Sequence, residues 1–349
     1  MTRQGGWARW AVVACSCGAM TVLAGCSSGT SSTTSSASAE VSPAASTPAS
    51  QAVSSASAAA VASAVAPLTG LPATDSVAER PAVAVAVSGT NPAGLGAADL
   101  VYQEITSPVR YLAVYQSNEA TVGPVGGTRP EDGQILSVLH PLTSYDGGTS
   151  TFVKELDATK IVDAGYAAHS SLYAEGTDGL TTSTSAVAAT GTSDTPPPGL
   201  FSYRGPGASL ASVKETHPTS VRINMPGQPA EQWTFSSSSD RWVLASGGPR
   251  VSVANLVVQI VPFKTVYLSR KYGETTQSTR VLGKGAATVF SGTTPGGSGG
   301  TAAAGSWYKP GLAGLTNYFD AASVPMNFGT GPTWIVLAPT GTTTSQAGG

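Results

Sequence analysis

Three short apolar runs follow one another at 81–87, 99–105 and 110–116. Their brevity and their content of Val, Ile and Tyr predict three successive strands. The third is apolar on both faces, as in a central strand covered on two sides. Helical spacing is found at 131–139, where Leu136 and Leu139 stand three apart, and again at 151–156. From about residue 200 the pattern shifts to short strand-like runs with Gly and Pro turns between them. These runs are 220–224, 232–235, 242–245, 253–261, 265–268 and 333–337. Three stretches read as loops: 174–199, ending in three prolines, the Gly-rich 291–305, and the tail 340–349. The pattern predicts an α/β or α+β N-terminal domain over 67–199, a β-rich C-terminal domain over 200–339, and a disordered tail over 340–349.

The first 66 residues follow a different rule. Arg3 and Arg9 precede a run of apolar and small residues from Trp10 to Leu23, too short to span a membrane. Leu23-Ala-Gly-Cys26 then has the form of a lipobox, so residues 1–25 are expected to be a lipoprotein signal peptide. Cys26 is the expected lipid attachment, and acyl chains hold a protein at a membrane by about 0.8 kcal/mol per buried CH2. Residues 27–66 contain 31 Ser, Thr or Ala among 40, with Glu40 as the one charge. Such a segment cannot bury enough surface to offset its ordering entropy, and predicts a disordered tether. Its mean reach as a flexible chain is about 35 Å.

Composition sharpens this picture in two places. Charged residues make up 11% of the 349, against about 25% in ordinary domains. Removing residues 1–66 leaves 16 basic and 19 acidic residues, so the scarcity belongs to the body, and each charge inside an apolar run carries information. The net charge of -2 gives no basic footprint for nucleic acid. Of the three cysteines, Cys15 and Cys17 fall in the expected signal peptide and Cys26 takes the lipid. A mature body without cysteine excludes thiolate catalysis and Cys-based metal sites.

Motifs with a defined chemistry are mostly missing. There is no HExxH, Walker A or EF-hand loop, and no cofactor is expected. Gly296-Gly-Ser-Gly-Gly300 matches a nucleophile elbow in letters alone, since a loop of small residues surrounds it. His140, His169 and His217 are spaced by 29 and 48 residues, which pairs none of them for a metal. His169 follows a Gly-containing turn, and the sequence leaves open a satisfied structural histidine or one that edges a cleft. Glu104, Asp146 and His169 are the candidates for acid–base catalysis. Arg110, Arg129, Asp99 and Asn255 are the candidates for ligand binding, the arginines because a guanidinium fork suits carboxylates. The competing reading is an internal Arg–carboxylate network. Trp307, Tyr308 and Lys309 follow the Gly-rich loop, where aromatics either stack on sugars or fill a core.

An ordered set of segments resembles the YerB-like bacterial lipoproteins, a family of unknown function. It includes Pro67-Leu-Thr-Gly-Leu-Pro72, Ala98-Asp-Leu-Val-Tyr-Gln-Glu104, Arg110, Gly123-Pro-Val125, Arg129-Pro130 and Gly147-Gly148. Farther on come His169, Ala254-Asn-Leu-Val-Val-Gln259, Gly283-Lys-Gly285, Trp307 with Lys309, Tyr318-Phe-Asp320 and Thr333-Trp-Ile335. The resemblance implies two tandem domains in an exported, membrane-anchored protein and supplies no activity. The chain departs from the family pattern twice. Val87-Ser88-Gly89 stands where relatives tend to have Ile-Asp-Asn, and Gly126 stands where an Arg tends to follow Gly-Pro-Val.

These readings lead to a lipid-anchored protein on the outer, extracytoplasmic face of the cell membrane. Its expected role is a binding or accessory module for a wall glycan or an envelope protein. The alternative is an envelope hydrolase with a carboxylate/His site in the N-terminal domain.

Overall fold

The computed structural model describes residues 64–348 apart from 90–91, 107, 160, 192–194, 206, 270 and 293–297. The expected signal peptide, Cys26, nearly all of the expected tether, and Gly296 and Gly297 of the elbow-like motif lie outside the described residues. The described body begins before Pro67: Ala64–Val65 pairs with Pro72–Ala73, and Ala66 is buried.

Five strands of the N-terminal half are β1 (Val83–Ser88), β2 (Leu100–Glu104), β3 (Arg110–Tyr115), β4 (Leu142–Ser144) and β5 (Val162–Asp163). The later half supplies β6 (Ser220–Asn224), β7 (Glu231–Ser236), β8 (Arg241–Ser246), β9 (Ser252–Val253) and β10 (Asn255–Val261). Next come β11 (Phe263–Ser269), β12 (Glu274–Thr279), β13 (Gly283–Ser291) and β14 (Thr301–Lys309). The last are β15 (Asn317–Asp320), β16 (Thr333–Pro339) and β17 (Thr343–Ala347).

A ten-stranded mixed sheet runs β15-β14-β13-β10-β16-β2-β3-β1-β4-β5. The two halves of the chain meet inside it, where β16 pairs in parallel with β2 from Thr333↔Leu100 to Leu337↔Glu104. A β-rich second half thus completes the sheet begun by the first. Alternation along each strand separates two cores. On one face Val83, Val85, Val101, Tyr111, Val258 and Trp334 pack beneath a five-stranded sheet of order β9-β8-β7-β6-β17. Trp233 and Trp242 of that sheet are fully buried in this layer. On the other face Ala82, Ala84 and Ala86 pack with Ile135, Leu136 and Leu156 from α1 (Asp132–Leu136) and α2 (Ser150–Asp157). The Ala-Val alternation of β1 therefore has a purpose: the alanine side lets the helices approach closely, and the valine side fills the inter-sheet layer.

Three expected loops are corrected. Within 174–199 the chain forms a hairpin, Tyr173–Gly176 with Gly179–Ser183, and a short helix, Thr184–Ala188, that buries Val187. Gly179, at φ 132°, supplies the turn that only glycine adopts readily. Within 291–305, β14 begins at Thr301. Its small residues are a packing requirement, because a Cβ on Gly305 would fall 1.9 Å from the Phe319 carbonyl oxygen. The tail expected to be disordered contains β17, which pairs with β6 along five residues from Asn224↔Thr343 to Ser220↔Ala347. Polar edge strands like Thr343–Ala347 lack the apolar alternation that would have announced them.

Candidate functional site

β2 and β3 place Glu104 directly opposite Arg110, and β1 places Ser88 on the other side of Arg110. All three side chains emerge on the helix-bearing face at the end of β2. Arg110 has one nitrogen, Nη1, 2.6 Å from Glu104 Oε2. Its fork also grips Asp132, the first residue of α1, at 2.8 and 2.7 Å. Asp132 Oδ2 in turn accepts the Arg129 amide at 2.9 Å, which fastens the preceding loop. Glu131 adds a third carboxylate, held by the Ser278 hydroxyl of β12 at 2.8 Å. β2 and α1 thus each send a carboxylate to the guanidinium of β3, while Glu131 links the start of α1 to β12.

The cluster is sealed. Glu104 and Glu131 are 0% exposed, Asp132 1% and Arg110 2%, while Arg129 is half-buried. Burial pushes the Glu104 carboxyl up to about 8, against the opposing pull of Arg110. Burial, with the charge of Asp132, pushes Glu131 up to about 7. Burial works against the Arg110 cation, but the charges of Asp132 and Glu104 overcome it and hold the guanidinium above its ordinary value. Burial and the neighbouring Arg110 lower Arg129. One fork cannot neutralise three carboxylates: Asp132 takes the bidentate contact, Glu104 a single bond, and Glu131 none. A protonated buried carboxyl has the chemistry of a general acid. Both glutamates are fully buried, and Glu104 Oε1 and Glu131 Oε1 have no hydrogen-bond partner among the described residues.

The other sequence candidates lie elsewhere. Asp146 is exposed and His169 half-buried, and among the described residues neither side chain bonds to the cluster. The expected acid–base grouping of Glu104, Asp146 and His169 is therefore not assembled. Asp99 and Asn255, expected to bind ligand, sit at the opposite strand ends and serve the chain itself. Asp99 Oδ2 accepts the amides of Gln116 and Ser117 at 2.5 and 2.6 Å. Asn255 donates to Gly329 O and Thr333 Oγ1 and accepts from Ser291 Oγ and Gly329 N. Sequence reading missed Glu131 and Asp132, which look like ordinary acids of a helix's first turn. The available signal was two adjacent carboxylates opening an apolar helix in a charge-poor chain.

The two departures from the family pattern are neighbours in space. A Cβ on Gly126 would fall 2.7 Å from Ser88 Oγ, so Ser88 and Gly126 form a compact contact beside Arg110.

The profile of the N-terminal domain of a protein of unknown function, DUF3048, matches residues 68–187, and that of its C-terminal domain matches residues 221–335. No curated protein matches the sequence. The crystal structure of the YerB protein from Bacillus subtilis matches 81% of this chain and 99% of its own, at TM-score 0.64 and 18% identity. At that identity the likeness shows the fold.

Proposed function

This chain belongs to the DUF3048 family, and from that premise we propose that it is a lipid-anchored, extracytoplasmic binding or accessory module of the cell envelope. The anchor reading rests on the Leu23–Cys26 lipobox and the Ser/Thr/Ala-rich segment after it. The choice of binding module over hydrolase rests on one observation. Arg110 holds Glu104 and Asp132 together in a closed cluster, and Asp146 and His169 stand apart from it. An ion-paired keystone that ties β2, β3, α1 and β12 together is scaffold chemistry. It holds a shape on which a surface can bind.

Two measurements test the reading. Radiolabelled palmitate should be incorporated into the full chain and fail to enter Cys26→Ala, which should leave the membrane fraction. The purified chain should also be retained on wall fragments. Loss of neither label nor membrane association in Cys26→Ala would refute the anchor. Glycan hydrolysis that is abolished by Asp146→Ala or His169→Ala would favour the hydrolase.

A further inference from the structure

The helix-bearing face contains a second polar locus, next along the sheet from the ion cluster. A small crevice is lined by Tyr102, Phe201, Gln259, Lys309 and Tyr318, with Ile135 of α1 on its wall. Its free volume of about 20 Å³ is room for little more than a water. Lys309, the last residue of β14, is 2% exposed. Buried lysines are normally paired with a carboxylate. Among the described residues Lys309 has no such partner, and its Nζ donates to the Gly314 carbonyl. That carbonyl belongs to the loop 310–316, which the Ser137 hydroxyl also holds through Leu312 O at 2.5 Å.

The remaining polar side chains of the lining are Tyr102, Gln259, Thr316 and Tyr318. The Tyr318 hydroxyl donates to Gln259 Oε1 at 2.7 Å, which leaves the Gln259 NH2 without an acceptor among the described residues. Tyr102 lines the crevice, and burial raises its phenol, so it stays a neutral donor. One ammonium, one amide NH2 and one phenol line this space together with Thr316 and the apolar Val281, Ile335 and Leu337. Desolvation alone lowers the Lys309 amine to about 8, a cost that an anion in the crevice would remove.

We propose that this crevice binds a carboxylate carried on a small apolar body, with Lys309 as its counter-ion and Gln259 and Tyr102 as its hydrogen-bond donors. A single lysine, without an arginine fork, matches one negative charge. On entry the carboxylate takes the place of the Gly314 carbonyl as the acceptor for Nζ, and the loop 310–316 moves outward. The proposal rests on the binding-module reading and names the ligand chemistry.

The test uses the full chain with hexanoate as probe, and hexanol and acetate as controls. Hexanoate should raise the melting temperature saturably by about 2–4 °C and protect Lys309 from reductive methylation at pH 8. Hexanol and acetate should do neither at the same concentration. Lys309→Met should abolish the shift, and Gln259→Leu should weaken hexanoate at least tenfold. If Lys309→Met fails to fold, Gln259→Leu with the methylation readout decides. No shift, an equal shift with hexanol, or a hexanoate shift that survives both substitutions overturns the proposal. Wall and membrane association do not enter this assay, so their failure and the failure of the crevice are separable.

Discussion

Glu131→Gln offers a sharp test of the buried cluster. Glu131 is fully buried, accepts one hydroxyl hydrogen from Ser278, and leaves Oε1 without a partner. Burial, then Asp132, raises its carboxyl from 4.5 to about 7, which corresponds to about 3 kcal/mol as an upper bound. The sign follows from proton counting. Between pH 4.5 and about 7 the folded state holds a proton that the unfolded chain has lost, so stability falls as pH rises through this window. Above about 7 the deficit is complete and flat. Glutamine keeps the shape and the acceptor for Ser278 but cannot ionise. The variant should therefore match the parent at pH 4.5 and exceed it by about 1–3 kcal/mol at pH 8. Urea denaturation at the two pH values, followed by tryptophan fluorescence, measures the difference. A gain that is the same at both pH values, or a loss at pH 8, would refute the reasoning.

Other changes probe different joints. Arg110→Met removes the shared counter-ion of Glu104 and Asp132 and should cost about 3–5 kcal/mol, read as a lower urea midpoint. A cost under about 1 kcal/mol would show that the carboxylates are solvated. On the opposite face Trp334 Nε1 donates to Gln103 Oε1 at 2.7 Å, Gln103 donates to Glu231, and Trp233 Nε1 donates to Glu231 at 3.0 Å. Gln103→Leu strands a buried indole N–H and should cost about 1–3 kcal/mol by the same assay. Deleting residues 341–349 uncovers the β6 edge, so amide exchange in Ser220–Asn224 should accelerate while that of β2 and β3 stays slow. Equal protection in β6 would show that β17 contributes no pairing.

The first three strands were readable from the chain because their apolar residues recur in runs that no solvent-exposed segment tolerates. The short helix at 131–139 was readable from Leu136 and Leu139 for the same reason, and six later runs also became strands. β14 and β17 were not, since Thr-Ala-Ala-Ala-Gly and Thr-Thr-Ser-Gln-Ala carry no burial pattern. β14 pairs with its chain neighbours β13 and β15, and β17 pairs with β6, which lies far away in sequence. Arg110 and Glu104 were singled out because charge inside an apolar run must be compensated. That rule names the need for a partner without saying which residue meets it. Asp132 is 22 residues from Arg110, and Ser278 is 147 from Glu131.

What composition and local pattern offer for this protein is therefore an inventory: strands in a charge-poor body, and a few charges that must be neutralised. Which charges neutralise one another, and which is left over, belongs to the fold. β16 inserts beside β2 and closes one sheet from two halves of the chain, bringing α1 over Arg110 and leaving Lys309 without an acid among the described residues. Periodicity is a local consequence of burial and can be read along the chain. Charge pairing acts over a few ångströms in space between residues that sequence separates, so it appears with the packing.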